Sequence, residues 1–63
     1  MKSYLYVNGL NRLKKIVVQD ITEEGDYPIS LWDMETGEWC GNGNFTPEKL
    51  QEFFNHYGIK DCD

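Results

Sequence analysis

The sequence predicts a small α+β domain in which an antiparallel β-meander of about four strands precedes one C-terminal helix. Three observations predict this fold class. Runs of β-branched and aromatic residues alternate with short turn-rich segments. The last third of the chain carries an apolar stripe at helical spacing. Its 63 residues make one domain, and short connections favour a meander with the helix on one sheet face.

The first two predicted strands cover residues 3–8 and 14–22. Aromatic and β-branched residues favour extended chain in the first, and Asn8-Gly9 is a turn signal. The second contains the run Ile16-Val17-Val18, which has no clean alternation of apolar and polar residues. This run is typical of an interior strand that is covered on both faces.

The third and fourth predicted strands cover residues 29–34 and 38–41. Pro28 suits the start of a strand, where a missing N–H is tolerated. A three-residue hairpin loop ends at Gly37, which suits the left-handed conformation there. The glycine and asparagine residues at 40–44 are then expected to break the sheet.

The predicted helix, Pro47–Tyr57, has the clearest boundaries in the chain. Thr46 is a good N-cap with proline directly after it, and Phe45 and Leu50 form a hydrophobic staple. Gly58 fits the left-handed position that ends a helix in a Schellman arrangement. One apolar stripe follows the i, i+3, i+4, i+7 spacing and comprises Leu50, Phe53, Phe54 and Tyr57.

One helix covers one sheet face only, so the second face must be polar or covered by a partner. With the loop at 35–37, Met34 lies opposite Glu38 and Trp32 opposite Cys40. Period two then places Trp32 and Met34 on the second face and Trp39 on the other. We therefore expect three side chains to face the helix: Ile29, Leu31 and Trp39.

The charge balance disfavours several functions. The net charge is −5, with four basic residues against one acidic among residues 1–20 and ten acidic against two basic in 21–63. An acidic balance argues against general nucleic-acid or anionic-membrane binding. Without a membrane span or signal peptide, we expect a cytoplasmic protein with Cys40 and Cys62 as thiols; only export would favour a bridge between them. Residues 60–63 are expected to form a flexible tail.

No catalytic, metal or cofactor motif stands out. Zinc would need Cys40, His56 and Cys62 plus a fourth ligand, and their spacing matches no zinc pattern. A Cys–His nucleophilic pair lacks support, because carboxylates flank Cys62 and raise a thiol pKa. The glycine-rich segment 41–44 matches no phosphate-binding fingerprint. We expect neither enzymatic activity nor a cofactor.

The leading hypothesis is a non-enzymatic module that binds another protein. It would suit an inhibitor or modulator encoded by a phage or other mobile element, since the chain is short and lacks recognisable motifs. An exposed tryptophan is a common interface anchor. The predicted interface consists of Trp32 and Met34, with the acidic hairpin tip at Glu35 and Glu38 as its rim.

Three alternatives stay open. Single-stranded nucleic acid could bind basic groups beside exposed aromatic residues, using Tyr4, Tyr6, Arg12, Lys14 and Lys15. A homodimer could form through the second face or an exposed edge strand. A DNA mimic could present carboxylates at phosphate-like spacing, using Glu23, Glu24, Asp26, Asp33, Glu35, Glu38, Asp61 and Asp63.

Overall fold

The computed structural model describes residues 1–59 and confirms the predicted fold class. Four antiparallel strands form one sheet in the order β1-β2-β3-β4, and one helix follows. The predicted tail at 60–63, and with it Cys62 and its pairing, lies outside the described residues. The elements are β1 (Lys2–Val7), β2 (Leu13–Val18), β3 (Tyr27–Asp33), β4 (Trp39–Phe45) and α1 (Pro47–Tyr57).

The second strand ends at Val18, four residues earlier than predicted. The Gln19 N–H still donates to the Pro28 carbonyl at 2.9 Å, so the ladder closes one residue after the strand. Thr22 then bonds Asp26 through both its N–H and its hydroxyl group, which turns the chain toward β3. The predicted strand was too long because Ile21 is apolar and was counted as part of it. In the structure Ile21 lies in the connection to β3 and is half exposed.

The fourth strand continues to Phe45, so the predicted break at 40–44 is wrong. Ile29 pairs with Gly43, Ser30 with Asn42, and the strand keeps its ladder to the end. Glycine and asparagine disfavour strands, but strand preference depends on the neighbours more than on the residue itself. Here the pairing with β3 keeps residues 40–44 in an extended conformation.

The second strand is interior, as predicted, but only one of its faces is covered by another layer within the described residues. Ile16 is fully buried and Val18 is buried on the side of α1. Val17 points to the opposite side and is partly buried.

The predicted boundaries of α1 are confirmed at both ends. The Thr46 hydroxyl accepts the Lys49 N–H at 3.2 Å. Gly58 adopts a left-handed φ of 67°. The Gly58 N–H donates to the Asn55 carbonyl, and the Ile59 N–H donates to the Phe54 carbonyl at 2.8 Å. These two bonds are the predicted Schellman arrangement.

Aromatic rings join α1 to the sheet. Tyr4 packs on Phe54 with ring centroids 4.8 Å apart, and Tyr6 lies between Phe53 and Tyr57 at 5.2 and 4.6 Å. Ile29 and Leu31 belong to this side of the sheet, as predicted. Phe45 and Leu50, the predicted staple, both pack against the core, and the Phe45 ring contacts Phe53.

We predict that Gly58→Ala lowers the free energy of unfolding by about 1 kcal/mol, because a side chain disfavours the left-handed conformation. For a domain of this size that loss corresponds to a fall in Tm of roughly 4–8 °C, measurable by circular dichroism. Gly9→Ala is the matched control. A Cβ at either position meets no atom within 4 Å, but Gly9 does not adopt a left-handed φ. Equal losses in the two variants would contradict the prediction.

Candidate functional site

The side of the sheet opposite α1 is the strongest candidate for a functional surface. Over residues 1–59, no second layer covers it. Side chains alternate along each strand, so the residues between those of the core form this side. We call it the open face; it comprises Ser3, Leu5, Val7, Leu13, Lys15, Val17, Pro28, Ser30, Trp32, Trp39, Asn42 and Asn44.

A continuous row of side chains crosses the open face from one edge to the other. Leu5 pairs with Lys15, Lys15 with Trp32, and Trp32 with Trp39. The Lys15 Nζ lies 5.7 Å from the centroid of the Trp32 ring, within the range of a cation–π contact. We call these four residues the cross-strand row. Its two ends are its most accessible parts, since Leu5 and Trp39 are 58% and 56% exposed.

A β-bulge places the two tryptophans side by side. Leu31 pairs with Gly41 but Trp32 pairs with Trp39, so Cys40 is an extra residue in β4. Gly41 has a φ of 148°, a conformation that side chains disfavour. The predicted pairing of Trp32 with Cys40 is therefore wrong, and so is the expected placement of Trp39 toward the helix.

The hairpin between β3 and β4 has a four-residue loop, 34–37, and the predicted three-residue loop is wrong. The Asp33 N–H donates to the Glu38 carbonyl at 2.8 Å, which makes these two residues the closing pair. The Glu35 and Thr36 N–H groups donate to the Asp33 side chain and so hold the turn. Gly37 takes the predicted left-handed conformation.

The Asp33 carboxylate ties this loop to the other hairpin. Its Oδ2 accepts from the Arg12 Nε and terminal amino group at 3.1 and 2.7 Å and from the Lys14 Nζ at 3.3 Å. Its Oδ1 accepts the Glu35 and Thr36 N–H groups at 2.8 and 3.2 Å. We call these five residues the Asp33 network. It closes the end of the sheet, and Asp33 is only 8% exposed.

The network also sets the local electrostatics. Hydrogen bonds from the Arg12 guanidinium hold the pKa of the Asp33 carboxyl well below its ordinary value of 3.8. The same bond raises the pKa of Arg12. Both groups are therefore charged near neutral pH, and neither is poised to exchange a proton there.

Charge is unevenly divided between the open face and the rest of the molecule. Lys15 is the one charged residue of the open face. The carboxylates of residues 1–59 lie in loops, at the β3–β4 hairpin or on α1; they are Asp20, Glu23, Glu24, Asp26, Asp33, Glu35, Glu38, Glu48 and Glu52. A chain of net charge −5 thus keeps one face free of negative charge, and just over half of the residues on that face are apolar.

The predicted interface residues gather near one end of the open face. Trp32 lies on it and is partly buried, while Met34 follows in the loop and is 42% exposed. Glu35 accepts the Leu13 N–H at 3.1 Å and lies 3.8 Å from the Arg12 Nε. Glu38 is exposed and closes the hairpin through its carbonyl.

Sequence reasoning missed four exposed apolar residues of this surface. The alternation in β1 would have found two of them, because Leu5 and Val7 alternate with the buried Tyr6. Leu13 is the first residue of β2, but the predicted strand began one residue later. Trp39 was assigned to the wrong face. Their exposed fractions range from 39% to 58%, and the four are Leu5, Val7, Leu13 and Trp39.

The five residues of the nucleic-acid alternative do not share one exposed surface. Tyr4 and Tyr6 pack beneath α1, where burial raises the pKa of the Tyr6 hydroxyl. Arg12 and Lys14 bind Asp33. Only Lys15 belongs to the open face.

No metal or catalytic constellation forms in the described part of the chain. No group of three or more histidine, cysteine or acidic side chains is arranged to hold a metal ion there. Cys40 is exposed with its Sγ 3.5 Å from the Lys14 Nζ, whereas the His56 ring stacks edge-on against Tyr57. No helix within residues 1–59 reaches the length and apolarity needed to cross a bilayer.

A groove of about 490 Å³ lies between α1 and the end of the sheet far from the Asp33 network. Side chains of the core or packed against it form half of its lining, among them Tyr4, Val18 and Phe54. At its rim the Asp20 carboxylate lies 3.5 Å from the N-terminal amino group. The groove brings together no pair of groups suited to acid–base or nucleophilic chemistry, so it ranks below the open face.

We predict that Asp33→Asn lowers Tm by on the order of 10 °C at pH 7, because the network loses its charge. As pH falls below about 4, the unfolded wild-type chain takes up a proton at Asp33 that the folded chain does not, which destabilises the wild type alone. The difference in the free energy of unfolding between the wild type and Asp33→Asn should therefore narrow from pH 5 toward pH 2 (about the range set by the lowered pKa). Urea unfolding at several pH values measures this difference.

Asp20→Asn is the control for that experiment, because the Asp20 side chain is 95% exposed and contacts only the N-terminal amino group in the described residues. Its stability should follow the wild type at every pH. A gap for Asp33→Asn that stays constant down to pH 2 would show that the lowered pKa contributes nothing to folding.

Comparisons of the chain with protein-family models, with curated proteins and with solved structures find no significant match.

Proposed function

We propose that this protein is a non-enzymatic, cytoplasmic protein-binding module that contacts its partner through the open face. The observation that carries the proposal is the cross-strand row, which brings Trp32 and Trp39 together on the uncovered side of the sheet. Tryptophan is among the residues most enriched at the energetic centres of interfaces. The absence of a catalytic constellation from the described residues is consistent with a binding role.

The size of the open face suits a small interface. Four strands spaced about 4.8 Å apart and about six residues long give a surface of roughly 400 Å² in projection. A standard interface buries about 800 Å² per partner. The face together with the hairpin tip, where Met34 is 42% exposed, therefore corresponds to the lower end of specific interfaces.

The charges indicate which partner surface would fit. Lys15 favours a carboxylate or aromatic group opposite the centre of the row, and no negative charge on the open face opposes this. Glu35 and Glu38 at the hairpin tip favour basic side chains at one rim. A partner with an apolar centre, an acidic group within it and basic groups to one side matches this pattern.

We predict that Trp39→Ala keeps the fold but weakens partner binding by about 30-fold or more, since a truncated interface anchor costs about 2 kcal/mol or more. The fold should survive because the side chain is 56% exposed. Tagged wild-type and variant proteins capture partners from the native cell extract, and calorimetry then measures the affinity for the captured protein.

Leu10→Ala is the matched control, because Leu10 is an apolar residue that is 82% exposed in a loop outside the open face. A partner retained by this control and lost by Trp39→Ala supports the proposal. Equal binding by the two variants would show that the open face is not the binding surface.

A titration with single-stranded oligonucleotides at low salt separates this proposal from nucleic-acid binding. With one cation on the open face and a net charge of −5, we expect no binding under the conditions in which phosphate contacts are strongest. Binding that Trp39→Ala abolishes would instead identify the row as a base-stacking surface and overturn the proposal.

A further inference from the structure

The outer edge of β1 presents backbone groups that have no partner strand among residues 1–59. In an antiparallel ladder the N–H and C=O groups of one residue point to the same side. The Asn8 N–H donates to the Arg12 carbonyl, so every second residue back along β1 bonds β2 in the same way. The intervening residues, Ser3, Leu5 and Val7, direct their backbone groups away from the sheet. No element of residues 1–59 pairs with this edge.

This edge lacks the features that protect exposed strands. Natural edges are blocked by prolines, bulges or charged residues along the strand. Lys2 at the start is the one charge in β1, and the remaining residues favour extended structure. Leu5 and Val7 are also more than half exposed. The edge is therefore open for pairing with another strand.

The opposite edge is better protected. The bulge at Cys40–Gly41 interrupts the β4 ladder, and the strand contains two glycines. Asn44 donates to the Asp26 carboxylate at 3.2 Å, which keeps a negative charge beside this edge. Of the two edges, that of β1 is better suited to pair with an additional strand.

We propose that a second copy of this chain pairs with β1, antiparallel and about a two-fold axis at Leu5. Leu5 then lies opposite Leu5 of the second copy, and Ser3 opposite Val7. All three residues have outward backbone groups, so each opposed pair exchanges two hydrogen bonds. The two sheets join into one of eight strands, and both helices lie on the same side of it.

The carboxylates that give each chain its net charge of −5 lie outside residues 1–19. The cations of Arg12 and Lys14 are compensated by Asp33 and Glu35, with which they form ion pairs. Repulsion between the carboxylates of two copies is therefore low at this edge. The same pairing joins the two open faces, because Leu5 is the end of the cross-strand row and lies at the axis.

Leu5→Pro tests the pairing. Proline removes the N–H that points outward at the axis and leaves the β1–β2 hydrogen bonds in place. Asn42→Pro is the matched control at the opposite edge, where the backbone groups of Asn42 also point outward. Sedimentation equilibrium from about 1 µM to 1 mM, a range that covers weak to moderate dimers, measures the mass.

We expect the wild type and Asn42→Pro to approach the mass of two chains at high concentration and Leu5→Pro to stay at one. Circular dichroism checks that each variant folds. Should Leu5→Pro unfold, Leu5→Lys keeps the backbone but sets two cations against each other at the axis, which should weaken the dimer several-fold. Hydrogen exchange of the dimer should protect the Leu5 and Val7 amides and leave the Asn42 amide unprotected.

A one-chain mass for the wild type at all concentrations overturns the inference. The inference is also overturned if the protein dimerises but Leu5→Pro and Leu5→Lys leave the dimer intact, while Asn42→Pro or Trp39→Ala makes it monomeric. With a monomeric wild type, loss of capture of another protein by Leu5→Pro but not by Leu5→Ala, which keeps the backbone N–H, would assign the edge to a strand of that protein instead. Because Trp39 lies on the opposite edge strand, its variant tests the proposed function separately.

Discussion

The Asp33 network is the constraint on which the geometry of the open face depends. The carboxylate accepts hydrogen bonds from both hairpins, and in doing so it fixes Asp33 and Glu38 as the closing pair of the β3–β4 loop. At the other end of the same strands, Tyr27 pairs with Phe45 in the core beside α1. The two ends define registers that differ by one residue. The bulge at Cys40 absorbs this difference.

The position of Trp39 is a consequence of that mismatch. A shift of one residue moves every side chain of a strand to the other face, so a bulge changes the face only for the residues beyond it. Gly43 and Gly41 follow the register of the core, whereas Trp39 follows the register of the hairpin. The tryptophan therefore joins Trp32 on the open face, and Gly41 supplies the backbone conformation that the transition requires.

This explains which parts of the fold were predictable. The boundaries of α1 depend on contacts within a few residues, such as that of Thr46 with Lys49, and the sequence displays them directly. The β3–β4 register depends on Arg12, which is more than twenty residues away from Asp33 in the chain. Tyr4 and Tyr6 face α1 because its stripe is aromatic, and ring contacts select them over Leu5 and Val7. Trp32 could be assigned to the open face from alternation alone, but Trp39, its cross-strand neighbour, could not.

The uncovered face itself is the strongest argument for a binding role. Sheets in stable domains bury their apolar side chains against a second layer, and a 63-residue chain has little apolar area to spare. Here the described residues supply that layer on one side only, and Lys15 is the sole charge across the other. Pairing through β1 would leave this face open and join two cross-strand rows end to end, with Trp39 of each copy at the outer ends. The two tryptophan pairs would then lie roughly 25–35 Å apart across eight strands, a spacing suited to a partner that is itself two-fold symmetric or that presents two equivalent apolar sites.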